Sequence, residues 1–323
     1  MRKRIAVVTG GYSGESVISF KSADMVLKAI DTQKYEPVKV VIEPSKWYAL
    51  YNQSEYAIDK NDFSFTTPDG KMRFDGVFMA LHGTPGEDGK LQAYFDMLGI
   101  KYNNSGVLTS SLTFNKALCN NLLRHFNFNC APSILLYKND GYNKEEIIKK
   151  LGLPCFVKPN NGGSSIGISK VETATDLDAA IEKAFKEDKE IIIESYINGV
   201  EVTCGTRSAK GNAEAIAITE IVSNNSFFDF EAKYNDAATQ EITPARISKE
   251  MYTLIMKETE RVYTVLKCKG FIRIDFIIQN NVPYLIEVNT VPGMSERSIL
   301  PQQAAFAGIS VSDLYNAEID MMF

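Results

Sequence analysis

The sequence predicts an α/β fold of more than one domain, and three observations carry that expectation. Residues 4–9 form a short apolar stretch that runs into Gly10-Gly11, and Met25, Val26, Ala29 and Ile30 then recur at helical spacing within 19–30. Apolar stretches at 36–42 and 76–81 complete the strand, glycine turn, helix, strand order of a parallel sheet, whose ligands collect at the carboxyl ends of its strands. At 323 residues the chain has room for about two domains or three small ones.

The remaining elements follow in order. Residues 91–98 read as a helix, and Asn103-Asn104-Ser105-Gly106 marks a domain boundary. A single helix is expected over 109–125, carrying Lys116. A fresh alternation then begins, with strands at 155–159, 166–171 and 190–196 around a helix at 177–185. Two runs of β-formers close the pattern, at 271–278 and 284–289.

Composition excludes several classes of function. The chain is 45% hydrophobic and 23% charged, as expected of a globular protein with a substantial core. A net charge of -5 argues against general nucleic-acid binding. No apolar run reaches the roughly 18 residues of a membrane helix, and the basic start Met1-Arg2-Lys3-Arg4 leads into a strand rather than a signal peptide. The five cysteines form no CxxC pair, which points to reduced thiols rather than zinc or disulfides, and two histidines cannot build a His-rich metal site.

The chemistry concentrates in a few segments. Arg273, Asp275, Glu287 and Asn289 interrupt the last two apolar strands with period two, so each pair shares a sheet face. Buried charges need partners, and two carboxylates with an amide oxygen suit Mg²⁺, a hard cation that leaves positions open for phosphate. For the two carboxylates to share a face, the hairpin loop must hold an odd number of residues. A three-residue loop Gln279-Asn280-Asn281 is expected, with Glu287 opposite Arg273 and Asp275 one diagonal step away. The segment 160–167, Asn-Asn-Gly-Gly-Ser-Ser-Ile-Gly, is poor in side-chain bulk and rich in backbone N–H groups that can converge on an anion. It lacks the GK[ST] of a Walker loop, and Lys158 on the strand before it is placed to meet a phosphate. The apolar strand ending at Glu194 can offer backbone groups and a carboxylate to a purine edge. Glu15 and His82 lie just past strand ends, and the aromatic, charged stretch 227–234 leads into an irregular loop of the kind that forms lids.

In this order the segments resemble the D-alanine–D-alanine ligases of the ATP-grasp superfamily, from Gly10-Gly11 to about Ser312. The specific blocks are residues 82–93, His-Gly-Thr-Pro-Gly-Glu-Asp-Gly-Lys-Leu-Gln-Ala, and Arg273-Ile274-Asp275 followed by Glu287 to Gly293. The resemblance implies a three-domain ATP-grasp fold. Residues 1–104 would form an α/β substrate-binding domain, 105–194 a central subdomain, and 195–323 a catalytic subdomain with a lid at about 223–246. It further implies that ATP phosphorylates one D-alanine and that a second attacks the acyl phosphate, for peptidoglycan precursor synthesis, in a cytoplasmic homodimer.

By the same resemblance two Mg²⁺ ions, or Mn²⁺ in their place, would be held by Asp275, Glu287 and Asn289. Arg273 and the backbone N–H of Gly293 would stabilise developing charge. Lys116, Lys158, Gly163, Ser164, Ser165 and Lys233 would hold ATP phosphates. Glu194, Tyr196 and Ile197 would position adenine, and Glu201 the ribose. Glu15 would bind the first ammonium and lock the lid through Ser164 and Tyr234. Ser298, Lys233 and His82 would serve the second substrate, and Lys233-Tyr234 favours an amine there over a hydroxy acid. Ser195 and Gly162 depart from some relatives, which have a lysine and an acidic residue at these places. A ligase for another amino acid and a catalytically dead nucleotide-binding regulator are the competing expectations; the intact acceptor-side residues speak against the second.

Overall fold

The computed structural model describes residues 2–163, 166–209, 211–223 and 239–323. The first sheet is built from β1 (Lys3–Gly10), β2 (Tyr35–Ile42), β3 (Trp47–Tyr51), β4 (Ser54–Asp59), β5 (Ser64–Thr67), β6 (Gly70–Met72), β7 (Gly76–Met79) and β8 (Lys101–Tyr102). Its order is β6-β5-β4-β3-β2-β1-β7-β8. As expected, β1 pairs in parallel with β2 and β7, with α1 (Ser16–Ala29) following the glycine turn and α2 (Lys90–Leu98) crossing from β7 to β8. The antiparallel run from β3 to β6 was not anticipated. It extends the sheet through short hairpins that bring Tyr51, Phe65 and Phe74 into tilted ring contact.

Residues 109–125 do not form one helix. They lie in α3 (Val107–Phe114) and α4 (Lys116–His125), broken at Asn115, whose backbone is extended and whose side chain caps α4 by accepting from Leu118 N at 3.0 Å. This break swings Lys116 to the first turn of a new helix. The second sheet comprises β9 (Ser133–Tyr137), β10 (Cys155–Pro159), β11 (Ser169–Val171) and β12 (Glu190–Ser195), in the order β11-β10-β12-β9. It is backed by α5 (Lys144–Leu151) and α6 (Leu177–Glu187) around buried Val157, Leu177, Ile181 and Ile193.

The third sheet comprises β13 (Val200–Ala209), β14 (Asn212–Ser223), β15 (Thr239–Ile242), β16 (Ile272–Gln279) and β17 (Val282–Asn289), in the order β15-β14-β13-β16-β17. Its core packs against α7 (Lys249–Val265) and takes in Leu123 of α4. The terminal helices α8 (Ile299–Phe306) and α9 (Val311–Asp320) return to the first sheet, where Tyr315 is fully buried and donates to Met294 O at 2.8 Å. All five cysteines are buried and unpaired, and no helix among the described residues is long and apolar enough to cross a membrane.

The β16–β17 hairpin corrects the expected register. Its turn has two residues, Asn280 (φ 51°) and Asn281 (φ 60°), the left-handed pair a tight hairpin turn requires. Two residues alone would put Glu287 on the wrong face. The register instead slips between Asp275 and Phe276: Phe276 faces Leu285 but Asp275 faces Glu287, so Ile286 is an extra residue in a β-bulge. The extra residue restores the parity, and Glu287 lies opposite Asp275 with Asn289 opposite Arg273.

Glu318 on α9 is 2% exposed, and its Oε2 has no hydrogen-bond partner among the described residues. Burial pushes its carboxyl up to about 8. Because the folded value lies above the unfolded one, the native state retains a proton the unfolded chain has lost, and stability falls as pH rises from about 4.5 to 8. Glu318→Gln is therefore expected to melt several degrees above the parent at pH 8, with the gap closing toward pH 5. Equal melting temperatures across that range would contradict the buried acid.

Candidate active site

A cavity of about 490 Å³ opens between the second and third sheets, closed at one end by residues 12–15 and Thr84 of the first domain-like layer. Ala131, Phe156, Ile168, Ile197, Ile277 and Ile286 form its apolar walls. Glu15, Lys116, Lys158, Gly163, Glu194, Glu201, Asp275 and Glu287 bring its charges and its backbone donors. The volume and the mix of flat apolar wall with a few polar groups suit a nucleotide.

Two lysines enter from different elements and are set differently. Lys158 of β10 and Glu194 of β12 are diagonal neighbours on one sheet face, and their side chains meet at 2.5 Å. Burial works against the Lys158 charge, but Glu194 and Glu287 outweigh it and hold the ammonium above its ordinary range. Lys116 is also buried, and there burial wins: its pKa falls, although Glu287 at 3.8 Å opposes the fall. Its Nζ donates to Gly162 O at 2.5 Å, tying α4 to the glycine loop. An anion arriving between these lysines would add to the counter-charge that Glu287 gives Lys116.

The acidic end lies on the hairpin. Arg273 grips Asp275 through Nε and a terminal nitrogen, each at 2.9 Å, and Asp275 also accepts from Thr203 Oγ1 at 2.5 Å and Asn289 Nδ2 at 3.2 Å. Because the Asn289 amide nitrogen is directed at Asp275, its oxygen is the atom it offers elsewhere. Among the described residues no group of three His, Cys, Asp or Glu could hold a metal alone. The two carboxylates and one amide oxygen nevertheless fit a hard cation whose other ligands are phosphate and water.

Glu15, 7% exposed, faces the glycine loop. A Cβ at Gly163 would come within 2.7 Å of Glu15 Oε1, and one at Gly83, whose φ is +70°, within 2.4 Å of Oε2. The carboxylate is thus cradled by two positions where only hydrogen fits. Glu87, absent from the expected site, approaches from the same side: its Oε2 accepts from Gly83 N at 3.1 Å, and burial together with the Glu15 charge raises its pKa to about 8. Its signal was present in the residue 82–93 block, where an acid stands among glycines.

Other expected residues lie off the cavity wall. His82 is 5% exposed, with Nδ1 against Val291 O and Nε2 against Ser22 Oγ, both at 2.8 Å; burial lowers its pKa, so it is a neutral strut between the first sheet and the loop after β17. Ser298 caps that loop, accepting from Ser295 N at 3.0 Å, and a Cβ on Gly293 would sit 2.8 Å from its Oγ. The Tyr196 N–H is taken by Pro154 O at 3.3 Å, which leaves its carbonyl and Ile197 for a base. Ser164, Ser165, Lys233 and Tyr234, with most of the lid at 223–246, lie outside the described residues.

Residues 4–105 match the family model described as D-ala D-ala ligase N-terminus, and residues 122–320 match D-ala D-ala ligase C-terminus. The chain belongs to the D-alanine–D-alanine ligase family. It is 49% identical over 320 residues to the D-alanine–D-alanine ligase of Flavobacterium johnsoniae, covering 99% of both chains. It is 48% identical over 316 residues to that of Parabacteroides distasonis, covering 97% of this chain and 96% of the relative. Among solved structures, a D-Ala:D-Ser ligase from Enterococcus faecalis superposes with a TM-score of 0.88 at 31% identity over 100% of both chains. The D-alanine–D-alanine ligase of Bacillus anthracis, solved with ATP, superposes with a TM-score of 0.80 at 31% identity, covering 99% and 97%. Membership in this ligase family fixes the ATP-grasp fold that the sequence predicts.

Proposed function

We propose that this chain joins two molecules of D-alanine at the expense of ATP, releasing ADP and phosphate. The observation that carries it is the convergence in one cavity of Lys116 and Lys158, the facing pair Asp275 and Glu287, and the buried Glu15. Direct condensation of a carboxylate with an amine in water is uphill. Transfer of the γ-phosphoryl group to the first carboxylate makes phosphate the leaving group when the second amine attacks the carbonyl.

The residues divide that work. Lys116 and Lys158 bind the phosphates, with Lys158 leaving Glu194 as they arrive, and Gly163 and the adjoining Ser164 and Ser165 supply N–H donors. Glu194, Tyr196 and Ile197 meet the adenine, and Glu201 the ribose. Glu15 holds the ammonium of the first D-alanine and joins Ser164 and Tyr234 in closing the lid, which keeps water from the acyl phosphate. Asp275, Glu287 and Asn289 hold Mg²⁺, or Mn²⁺, which when bound neutralises the terminal phosphates and aligns them. Arg273 and the Gly293 N–H stabilise negative charge on the transferring phosphoryl group and at the attacked carbonyl. Ser298 and Lys233 bind the second carboxylate, with His82 supporting the loop that carries Ser298.

The same proposal includes a cytoplasmic homodimer and three domains at 1–104, 105–194 and 195–323. The confinement of each sheet's strands to about one of these segments supports the division. ADP release should be measured with Mg-ATP and D-alanine, the product identified by mass, with D-serine and D-lactate offered in parallel. One D-alanyl-D-alanine per ADP is expected; nucleotide binding without ADP release would defeat the proposal. Tyr234→Phe is expected to raise ATP hydrolysis uncoupled from dipeptide, and an unchanged ratio of ADP to dipeptide would remove Tyr234 from lid closure.

A further inference from the structure

The expected nucleotide contacts leave one buried residue of α4 without a function. Asn120 stands one helical turn after Lys116, on the same face. It is 2% exposed, and its Nδ2 donates to Glu194 Oε1 at 3.0 Å while Glu194 Oε2 holds Lys158 at 2.5 Å. Both oxygens of the carboxylate are therefore engaged, one by a lysine from β10 and the other by an amide from α4. An ionised carboxylate accepts at about four sites, so each oxygen keeps one for a further donor.

We propose that Asn120 is a positioning residue for the nucleotide, acting through Glu194. When triphosphate draws Lys158 away, the Asn120 amide remains as the donor that holds Glu194 in place, with a lone pair turned toward the amino edge of the base. Lys116 and Asn120 then make α4 a rigid spacer, with its first turn at the phosphates and its second behind the base. Asn120 touches neither phosphate nor base; its effect passes through one hydrogen bond to a buried charge. This inference rests on the assignment of the cavity to ATP.

The test is a double-mutant cycle on Asn120 and Glu194. Asn120→Leu removes the donor while keeping the branched shape of the side chain and is expected to raise the Kd and KM for Mg-ATP about tenfold, the usual cost of losing a hydrogen bond to a charged group. Turnover at saturating ATP should fall far less, and the KM for D-alanine should hold. Asn120→Gln, which keeps the amide, should recover most of the loss. In a Glu194→Leu background, which removes the acceptor oxygens, Asn120→Leu should cost little more, because its route of action is already gone. Additive losses would overturn the proposal, as would equal falls in kcat and kcat/KM without rescue by Gln. If Asn120→Leu fails to fold, Asn120→Ser takes its place in the same cycle, with Asn120→Gln kept as the rescue, and additive losses for the Ser variant are equally fatal. A parent protein that binds no Mg-ATP would defeat the nucleotide assignment itself, whereas normal binding with an indifferent Asn120 defeats only the positioning role.

Discussion

Glu287→Gln is expected to lower turnover about a thousandfold, since metal-borne charge stabilisation is worth several kcal/mol and each 1.4 kcal/mol is tenfold in rate. The substitution preserves volume and the strand pairing with Asp275, so the fold should be retained. What it removes is one of two carboxylates facing a site that must hold divalent charge beside polyphosphate. It also removes the nearest counter-charge of Lys116, 3.8 Å away, whose pKa burial already depresses. Two measurements separate these effects. A metal titration of activity should shift to higher concentration in the variant if the carboxylate is a ligand. Binding of ATP without divalent metal should change little, because the lysines and the apolar walls remain. Near-parental turnover at ordinary magnesium would remove Glu287 from the metal site.

Arg273→Ala should reduce kcat by about a hundredfold to a thousandfold, the range seen when a pre-aligned donor to a developing charge is lost, and should disturb ATP affinity much less. The geometry makes this a clean experiment. Arg273 clamps Asp275 with two hydrogen bonds, but Thr203 and Asn289 hold the same carboxylate from other directions. Asp275 therefore stays placed when the guanidinium is gone. Arg273→Lys restores the charge without the planar two-pronged grip and should recover only part of the rate. A defect confined to nucleotide affinity would show that Arg273 acts on the ground state alone.

Much of the fold was legible because its signals are local. Gly10-Gly11 between an apolar strand and a helix, and the apolar runs at 36–42 and 76–81, dictate the parallel core of the first sheet. Period two in β16 and β17 set out the charged face that became the acidic end of the cavity. The antiparallel strands from β3 to β6 escaped because their burial is uneven and their turns short, so neither period dominates. The break at Asn115 escaped because apolar spacing continues across it; only the capping bond to Leu118 reveals the new helix. Glu87 and Asn120 illustrate a different limit. Each is polar in a segment with an adequate surface explanation, and only the tertiary fold delivers them to Gly83 and Glu194.

The extra residue at Ile286 has a consequence for how this hairpin tolerates change in length. The bulge lets Glu287, rather than Ile286, stand opposite Asp275 while the turn keeps its two residues. Moving that surplus from the strand into the turn would leave the carboxylates facing each other but would turn residues 282–285, with the buried Leu285, to the opposite face. Adding a residue to the turn, or deleting Ile286 itself, would leave Asp275 paired with Glu287, whereas one further residue held in the ladder between them would turn one carboxylate away from the cavity. Hairpins of different length can therefore present one acidic centre, provided the surplus residues lie in the turn or in a bulge.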